Sequence, residues 1–379
     1  MRFPRLYRAL IGAMPLKPRP FTALKQRVPD SKLREMNGIL HRHRALGGAL
    51  ALFDMGGITD HFVYGNARKG MPVDASTAFR LASVSKLVTA CGVLKMTERG
   101  LVDLDADAGR NLPYSLRHPA APNTPLTLRM LLTHTAGIRD SAAYLNSIIH
   151  GKTAEGILQA GSFTPHLPGR GCEYSNFGAG LSGCVVEAET GLSFEAAMQE
   201  YLFRPLGMRA SFYPQRVGGS LADARRILPP RLKPNFNAIK RQAQKTSGWD
   251  LPDVHRHYAL AHGNCCMDVE SAAKLGTALM QPGFFKEETL HTMRHPQAVL
   301  GERDPSLALG IGLFILNDQL ISPHPLYGHQ GMAYGAVQML FWDLKLQRGI
   351  ISLTTGVSEA RQHILADVNK ALLKSWQEH

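Results

Sequence analysis

The sequence contains no uninterrupted apolar run that approaches the length of about 18 residues needed for a membrane-spanning helix. It also contains no segment repeated at an interval of about 20 to 50 residues, which excludes a solenoid or a propeller. Its 36 Gly and 23 Pro follow no period, and 44% of its 379 residues are hydrophobic. These proportions exclude collagen and a disordered chain, so we expect a globular enzyme with a substantial buried core.

Cysteine is also scarce. The chain has five Cys, an odd number, and the adjacent pair Cys265-Cys266 lacks the spacing of a zinc or redox site. This excludes a small domain held together by disulfides and favours a reduced compartment. The short apolar run at residues 9–14 ends at Pro15 without a cleavage site, so no signal peptide is evident. We therefore predict a cytoplasmic location.

The 16 His raise the question of a metal site. Three pairs have spacings that metal ligands use, namely His41 and His43, His255 and His257, and His291 and His295. None of these pairs has a carboxylate placed as in HExxH, and none clusters with Cys. We predict no metal and no cofactor.

Acidic residues are the deficient charge, because the chain has 43 Lys and Arg against 30 Asp and Glu. Residues 1–45 hold 11 basic and 2 acidic side chains, and residues 224–249 hold 7 basic and none acidic. The rest of the chain carries a net charge of −3, so the basicity belongs to two segments. Solvated surface runs are the simpler interpretation. The alternatives are peripheral membrane contact through the N-terminal segment, and an anionic substrate near Arg225, Arg226 or Arg231.

The order of predicted elements indicates an α+β fold. A helix over residues 31–44 precedes two strands, at residues 49–53 and 60–64. Three more strands are predicted near the C-terminus, followed by a final amphipathic helix. The predicted strands are 307–316, 334–342 and 349–355, and the predicted helix is 358–376. Helical segments fill residues 83–302. We expect a basic arm at residues 1–28 and one catalytic domain at 29–379, with a sheet part (29–82 and 303–379), a helical part (83–302) and a cleft between them.

Ser83-Val84-Ser85-Lys86 is the first candidate catalytic motif. On a helix, positions three apart share a face, which brings the ammonium of Lys86 to the hydroxyl of Ser83. Ser83 follows an apolar strand-like segment and opens the helix, where unpaired amides favour an oxyanion. The motif alone is not specific, since Ser271 and Lys274 repeat it. That second match lies inside a predicted helix, and we interpret it as an ordinary surface pair.

Tyr174-Ser175-Asn176 and His329-Gln330-Gly331 are the two further candidates. Tyr64 and Tyr144 also fit Tyr-x-Asn, but Pro and Gly before Tyr174 place it in a loop that enters a helix, where a phenol can reach a cleft. Tyr64 lies at the end of a predicted strand and is expected to be structural. His329 precedes the predicted strand 334–342 and could line its edge.

In this order the three motifs resemble those of the serine β-lactamase and penicillin-binding-protein-like superfamily. The similarity is greatest to class C β-lactamases, D-alanyl-D-alanine carboxypeptidases and related esterases. Four longer segments carry the same resemblance: 79–86, 126–138, 168–178 and 202–208. It implies the β-lactamase/transpeptidase-like fold, in which terminal segments build an antiparallel sheet flanked by terminal helices, with a large inserted helical region.

The resemblance also implies roles for the site residues. Ser83 would be the nucleophile of an acyl transfer, with Lys86 and Tyr174 sharing the general-base role. Asn176 would orient the substrate amide or Lys86. The backbone N–H groups of Ser83 and of Met332, just after Gly331, would form the oxyanion hole. His329 would hydrogen-bond near Tyr174 or to a substrate carboxylate.

Two departures from the family pattern affect the predicted substrate. The third motif is His-Gln-Gly where typical β-lactamases carry Lys-Thr-Gly, and no Glu-x-x-Leu-Asn follows the Tyr motif. We therefore predict a serine hydrolase for small esters, amides or peptides. The alternatives are a class C-like β-lactamase and a catalytically weak penicillin-binding or sensor domain. Nucleic-acid binding is not expected, because no recognised motif accompanies the basic segments. The sequence does not indicate an oligomeric state.

Overall fold

The computed structural model describes residues 20–224, 227–228, 233–234, 242–244, 246, 248–301 and 304–378. Residues 1–19 of the basic N-terminal segment lie outside these ranges, as do Arg225, Arg226 and Arg231. Across the described ranges, no helix is both long enough and apolar enough to cross a membrane.

Antiparallel strands form the main sheet of the described chain. Its strands are β1 Phe21–Lys25, β2 Gly47–Asp54, β3 Gly57–Arg68, β4 Met71–Pro72, β12 Ala298–Val299, β13 Leu307–Leu309, β14 Phe314–Leu316, β15 Leu326–Ala333, β16 Ala336–Asp343 and β17 Arg348–Thr355. The order across the sheet is β1-β3-β2-β17-β16-β15-β14-β13-β12, with β4 paired to β3. Smaller sheets use β5 Phe79–Arg80, β6 Arg117–His118, β7 Ala121–Pro125, β8 Ala210–Ser211, β9 Ile227–Leu228, β10 Lys233–Pro234 and β11 Cys266–Met267.

Helices cover both faces of the main sheet. They are α1 Asp30–Arg42, α2 Val84–Glu98, α3 Leu128–Leu132, α4 Ala142–His150, α5 Ala154–Gln159, α6 Asn176–Thr190, α7 Phe194–Met198, α8 Tyr258–Ala261, α9 Val269–Met280, α10 Glu287–Arg294 and α11 Asp367–Gln377. A π-helical turn, Gln199–Phe203, continues α7, and a 3₁₀ turn covers Pro214–Arg216. The α+β fold predicted from the sequence is confirmed, with sheet strands from both ends of the chain and helices inserted between them.

The sequence of β2, Gly-Gly-Ala-Leu-Ala-Leu-Phe-Asp, explains the layered arrangement. Alternate side chains of a strand point to opposite faces, and this strand is apolar on both. Leu50 and Leu52 pack in one core with the terminal helices α1 and α11. Ala51 and Phe53 pack in a second core with the inserted helices, among them α9. The sheet is therefore the middle of three layers. Within it, β17 pairs with β2 and so joins the strands from the two ends of the chain.

Several predicted boundaries were wrong. Residues 307–316 form two strands rather than one, because the chain turns between Leu309 and Phe314, where Gly312 has a φ of +69°. The C-terminal helix begins at Asp367, not at residue 358. The preceding segment instead bonds to other elements, for example from the Ser358 amide to the His43 carbonyl. The sheet begins at Phe21, inside the segment predicted as a basic arm.

The strand β15 was not predicted, and it changes the setting of the third motif. His329, Gln330 and Gly331 lie within this strand, not before it. Tyr334 and Gly335, expected in the next strand, instead form the two-residue loop between β15 and β16, with φ values of +56° and +80°. Positive φ at both loop positions is the signature of a tight hairpin whose twist matches that of the sheet.

Ser271 and Lys274 are not the surface pair predicted from the sequence. Ser271 is 2% exposed, its amide bonds to the helix-capping Asp268, and its hydroxyl accepts a hydrogen bond from the Arg209 amide at 2.8 Å. Lys274 pairs with Glu270 on the same helix. Ser271 therefore has a structural role at the start of α9.

The ring of Phe53 lies between the sheet and α9, and two glycines make room for it. A Cβ added to Gly276 would overlap this ring, as would one added to Gly349.

We expect Gly276→Ala to lower the free energy of unfolding by about 1–3 kcal/mol, because overpacking exceeds the gain in helix propensity. The matched control is Gly38→Ala in α1, where the nearest atom is a flexible Arg42 nitrogen at 3.6 Å. It should stabilise the protein by up to about 1 kcal/mol. Urea unfolding of both variants measures these changes, and destabilisation by both would contradict the packing argument.

Candidate active site

Ser83 stands at the N-terminus of α2 in a constrained backbone. The preceding residue, Ala82, has a φ of +49°, a left-handed conformation that is costly for a residue with a Cβ. Serine is a favoured helix cap, yet the Ser83 hydroxyl does not cap α2. Its oxygen instead lies 3.2 Å from Nζ of Lys86. Among the described residues, no acceptor is assigned to the Ser83 amide, which leaves this N–H free for a ligand.

Lys86 is 2% exposed and bonds to three separate parts of the chain. Besides Ser83, its Nζ contacts the Asn176 Oδ1 at 2.8 Å and the His262 carbonyl oxygen at 2.9 Å. Burial lowers the pKa of Lys86 to about 7, against the opposing effect of the Asp140 carboxylate. A lysine with this pKa is partly neutral near pH 7, as a general base must be.

Tyr174 lies against the same lysine, with Nζ 5.0 Å from the centre of its ring. Burial raises the pKa of the phenol, and a hydrogen bond with the Ser83 side chain lowers it. The two amides that flank Tyr174 both bond to His134: Glu173 N–H to its carbonyl oxygen and Ser175 N–H to its Nδ1. The imidazole of His134 packs on the phenol at 4.3 Å between ring centres. This histidine therefore fixes the position of Tyr174.

Asp140 organises the start of α6, and sequence reasoning missed it. Its Oδ2 accepts a hydrogen bond from Asn176 Nδ2 at 2.8 Å, which turns the amide oxygen of Asn176 toward Lys86. Its Oδ1 accepts from the Ser175 hydroxyl and the Phe177 amide. A carboxylate at a helix N-terminus is favoured by the free amides there. The sequence feature that could have pointed to Asp140 is its position two residues after the family-like segment 126–138.

The third motif brings β15 against Ser83. A Cβ added to Gly331 would overlap the Leu81 carbonyl oxygen and lie 2.8 Å from the Ser83 amide nitrogen, so only glycine fits here. Ala333 and Ala336 close the two-residue hairpin as a hydrogen-bonded pair. Because such pairs alternate along an antiparallel ladder, the N–H of Met332 points away from β16. Met332 and Ser83 line the same cleft.

His329 is buried beneath the cleft. Its ring stacks on Phe314 at 4.1 Å and lies 6.5 Å from the ring of Tyr174, and its Nδ1 donates to the Gln330 carbonyl oxygen. Burial and the nearby Lys86 lower the pKa of His329 to about 3, so the imidazole is neutral. The hydrogen bond of His329 predicted near Tyr174 stays a prediction, because the contact between the two residues is one of rings. A contact of His329 with a substrate carboxylate stays a prediction.

The cleft has a volume of about 560 Å³ and lies between the sheet and the helical part, as the sequence predicted. It is also lined by Tyr144, whose hydroxyl lies 3.1 Å from Nε2 of His262. Loop context therefore did not separate Tyr174 from Tyr144, since both reach the cleft. Tyr64 lies in β3 and packs in the core under α1, as expected for a structural residue.

Within the described part of the chain, no group of three or more His, Cys, Asp and Glu side chains is arranged to hold a metal ion. The His pairs have other partners. His257 Nδ1 lies 2.5 Å from the buried Glu187, and the rings of His291 and His295 stack on each other. Cys91, Cys184, Cys265 and Cys266 are buried free thiols.

Comparison with known proteins identifies relatives along most of the chain. A sequence model of the beta-lactamase family matches residues 30–374. Esterase EstB of Burkholderia gladioli is 28% identical over 354 residues, which cover 84% of this chain and 88% of EstB. Protein flp of Staphylococcus aureus strain MRSA252 is 23% identical over 321 residues, which cover 82% of this chain but only 59% of the length of flp.

A solved structure agrees with the fold described above. EstCE1, which is described as a hydrolase with promiscuous acyltransferase activity, aligns with a TM-score of 0.73. The alignment covers 91% of this chain and 98% of EstCE1 at 20% sequence identity. At that identity the likeness shows a common fold.

The close approach of β15 to Ser83 can be tested at Gly331. We expect Gly331→Ala to push the strand away from the Ser83 amide and to slow labelling of Ser83 by a fluorophosphonate at least about 100-fold, since a displacement of about 1 Å suffices for such a loss. Mass spectrometry of the labelled peptide gives the rate, and circular dichroism shows whether the variant is folded. Gly38→Ala is the control and should label at the wild-type rate. A folded Gly331→Ala protein that labels normally would contradict this geometry.

Proposed function

The chain belongs to the beta-lactamase family, and from that premise we propose that it is a serine hydrolase in which Ser83 takes up the acyl group of a small ester or amide. Esters are the favoured class, because EstB is named an esterase and covers most of this chain. The third motif supports the same choice. Its neutral His329 offers no cation where the resemblance implies the lysine of a β-lactamase.

The observation that carries the proposal is the set of partners around Lys86 Nζ. A neutral amine has two N–H donors and one lone pair. The Asn176 Oδ1 and the His262 carbonyl oxygen are both acceptors and take the two N–H groups. The lone pair is then left for the Ser83 hydroxyl at 3.2 Å. The site therefore suits neutral Lys86 as the base that removes the proton of Ser83.

Tyr174 suits the second proton transfer. Because burial raises the pKa of its phenol, Tyr174 is protonated at neutral pH and can act as an acid. As the bond from Ser83 Oγ to the acyl carbon forms, Lys86 takes the serine proton. The amides of Ser83 and Met332 hold the oxyanion, and Tyr174 gives its proton to the leaving oxygen. The resulting phenolate is stabilised by the ammonium of Lys86.

The same groups complete hydrolysis without a further carboxylate. The Tyr174 phenolate takes a proton from a water molecule, whose oxygen attacks the acyl carbon. Lys86 then returns its proton to Ser83 Oγ as the acyl bond breaks, which restores the starting state. Asn176 and Asp140 hold Lys86 in place throughout. With this series of proton transfers, hydrolysis needs no deacylating Glu motif, which the chain lacks.

The test is hydrolysis of p-nitrophenyl butyrate and of the β-lactam nitrocefin by one preparation. We expect a higher kcat/KM for the ester, and loss of both activities and of fluorophosphonate labelling in Ser83→Ala. The control is Ser271→Ala, which repeats the change in the second Ser-x-x-Lys match, where the serine bonds to Arg209. Its labelling per folded molecule should be unchanged. Labelling of another serine would refute the assignment, and fast nitrocefin turnover would favour the β-lactamase alternative.

A second test concerns Tyr174. We expect Tyr174→Phe to slow both acylation and deacylation by about 100- to 10,000-fold, the usual range for a general acid or base. Burst kinetics with p-nitrophenyl butyrate separate the two steps. Tyr64→Phe, in the sheet core, is the control and should retain both rates. If Tyr174→Phe formed acyl-enzyme at the wild-type rate, one phenol could not serve both steps.

A further inference from the structure

Arg80 places a cation in the wall of the cleft without an acidic partner among the described residues. Its Nε donates to the Gln242 Oε1 at 3.0 Å, and its Nη2 donates to the Asn264 Oδ1 at 3.1 Å. Both acceptors are neutral amides. Its Nη1 is buried and has no assigned acceptor within the described part of the chain. The guanidinium keeps its charge at all ordinary pH values. Because the two acceptors bound to it are neutral, neither of them cancels this charge.

Arg80 and Lys86 hold the same short segment of chain. Lys86 bonds to the carbonyl oxygen of His262, and Arg80 bonds to the side chain of Asn264, two residues later. Between them, a Cβ added to Gly263 would lie 3.6 Å from Nη2 of Arg80. Two basic side chains that bind one three-residue segment repel each other when both carry a positive charge. Of the two, only Lys86 can lose its charge.

The other groups around Lys86 do not cancel this effect. The Asp140 carboxylate favours the ammonium, and the Arg80 guanidinium opposes it. His134 and His329 face the lysine as neutral rings, because burial lowers the pKa of each. Tyr174 faces it as a protonated phenol. Arg80 itself faces Cys266 and Tyr144, whose pKa values are raised by burial, and its guanidinium carbon lies 5.7 Å from the centre of the Tyr334 ring. The Asp140 carboxylate and the Arg80 guanidinium therefore act on Lys86 in opposite directions.

We propose that Arg80 is a positioning residue that keeps Lys86 in its neutral, proton-accepting form. This inference rests on the proposed role of Lys86 as the base for Ser83. Arg80 does not touch the reacting atoms. It makes protonation of Lys86 unfavourable from the far side of the segment 262–264, while Asp140, acting through Asn176, keeps the lysine in place. Without Arg80, burial alone would oppose the Asp140 carboxylate, and a larger fraction of Lys86 would hold its proton at neutral pH.

The test is the pH dependence of Ser83 labelling by a fluorophosphonate, together with that of kcat/KM for p-nitrophenyl butyrate. In the wild-type protein both should rise with pH through about 7 as Lys86 loses its proton. In Arg80→Gln the rising part of both pH profiles, here called the limb, should move by about 1 pH unit to higher pH, the usual effect of one nearby charge. The loss should therefore be about tenfold at pH 6 and nearly absent at pH 9.

Two further variants separate charge from structure. Arg80→Lys retains the cation, so its limb should stay near the wild-type position even if the maximal rate falls. Arg129→Gln removes an arginine that pairs with Asp105 outside the cleft, and its limb should not move. An equal loss in Arg80→Gln at every pH would overturn the inference in favour of a purely structural role, as would an equal shift in Arg80→Lys.

The outcome also distinguishes this inference from the proposed function. Suppose that labelling of wild-type Ser83 rises with pH through about 7 and that Arg80→Gln shifts this rise to higher pH, but no ester or amide is turned over. Then the proposed hydrolase activity is wrong and the role of Arg80 stands. If esters are hydrolysed through Ser83 and the limb of Arg80→Gln stays at the wild-type pH, the role of Arg80 is wrong and the hydrolase activity stands.

Discussion

The arrangement depends on the burial of one amine. Lys86 is enclosed by the Ser83 hydroxyl at the start of its own helix, an amide at the start of α6 and a carbonyl before β11. Burying an ammonium costs free energy unless its donors are satisfied, so each of these three contacts offsets part of that cost. They fix the distances between segments that are far apart in the sequence. The same burial that demands these partners also weakens the hold of Lys86 on its proton.

The parts of the site that surround this amine divide the work. The Asp140 carboxylate binds no reacting atom in this arrangement and instead aims Asn176. His134 holds Tyr174 through its backbone, its ring nitrogen and its ring face. His134 does so with a φ of +60°, and Ala82 beside Ser83 has a φ of +49°. Strained backbone next to reactive groups is common where the surrounding packing fixes the conformation.

The sequence was most informative where chemistry follows from local spacing. The helical offset that joins Ser83 to Lys86, and the loop entry that exposes Tyr174, are local features and were found. The apolar strands of the sheet were found for the same reason, although the turn at Gly312 was not. His134, Asp140 and Arg80 were given no role, because their functions depend on contacts with distant segments. The strand β15 was missed because its Gly and polar residues fit a close approach to Ser83 and not the usual strand composition.

The shared sheet has a consequence for how the protein is made. Gln338 Nε2, in β16, bonds to the carbonyl oxygen of Arg80, 258 residues earlier, and Gly331 completes the surroundings of Ser83. A ribosome needs on the order of 10 to 50 s to synthesise that length of chain. During this interval β2 lacks its partner β17, and its apolar faces are uncovered. The nascent chain thus contains Ser83 long before Gly331 lies beside it, and until the last strands emerge it exposes apolar strand faces of the kind that chaperones bind.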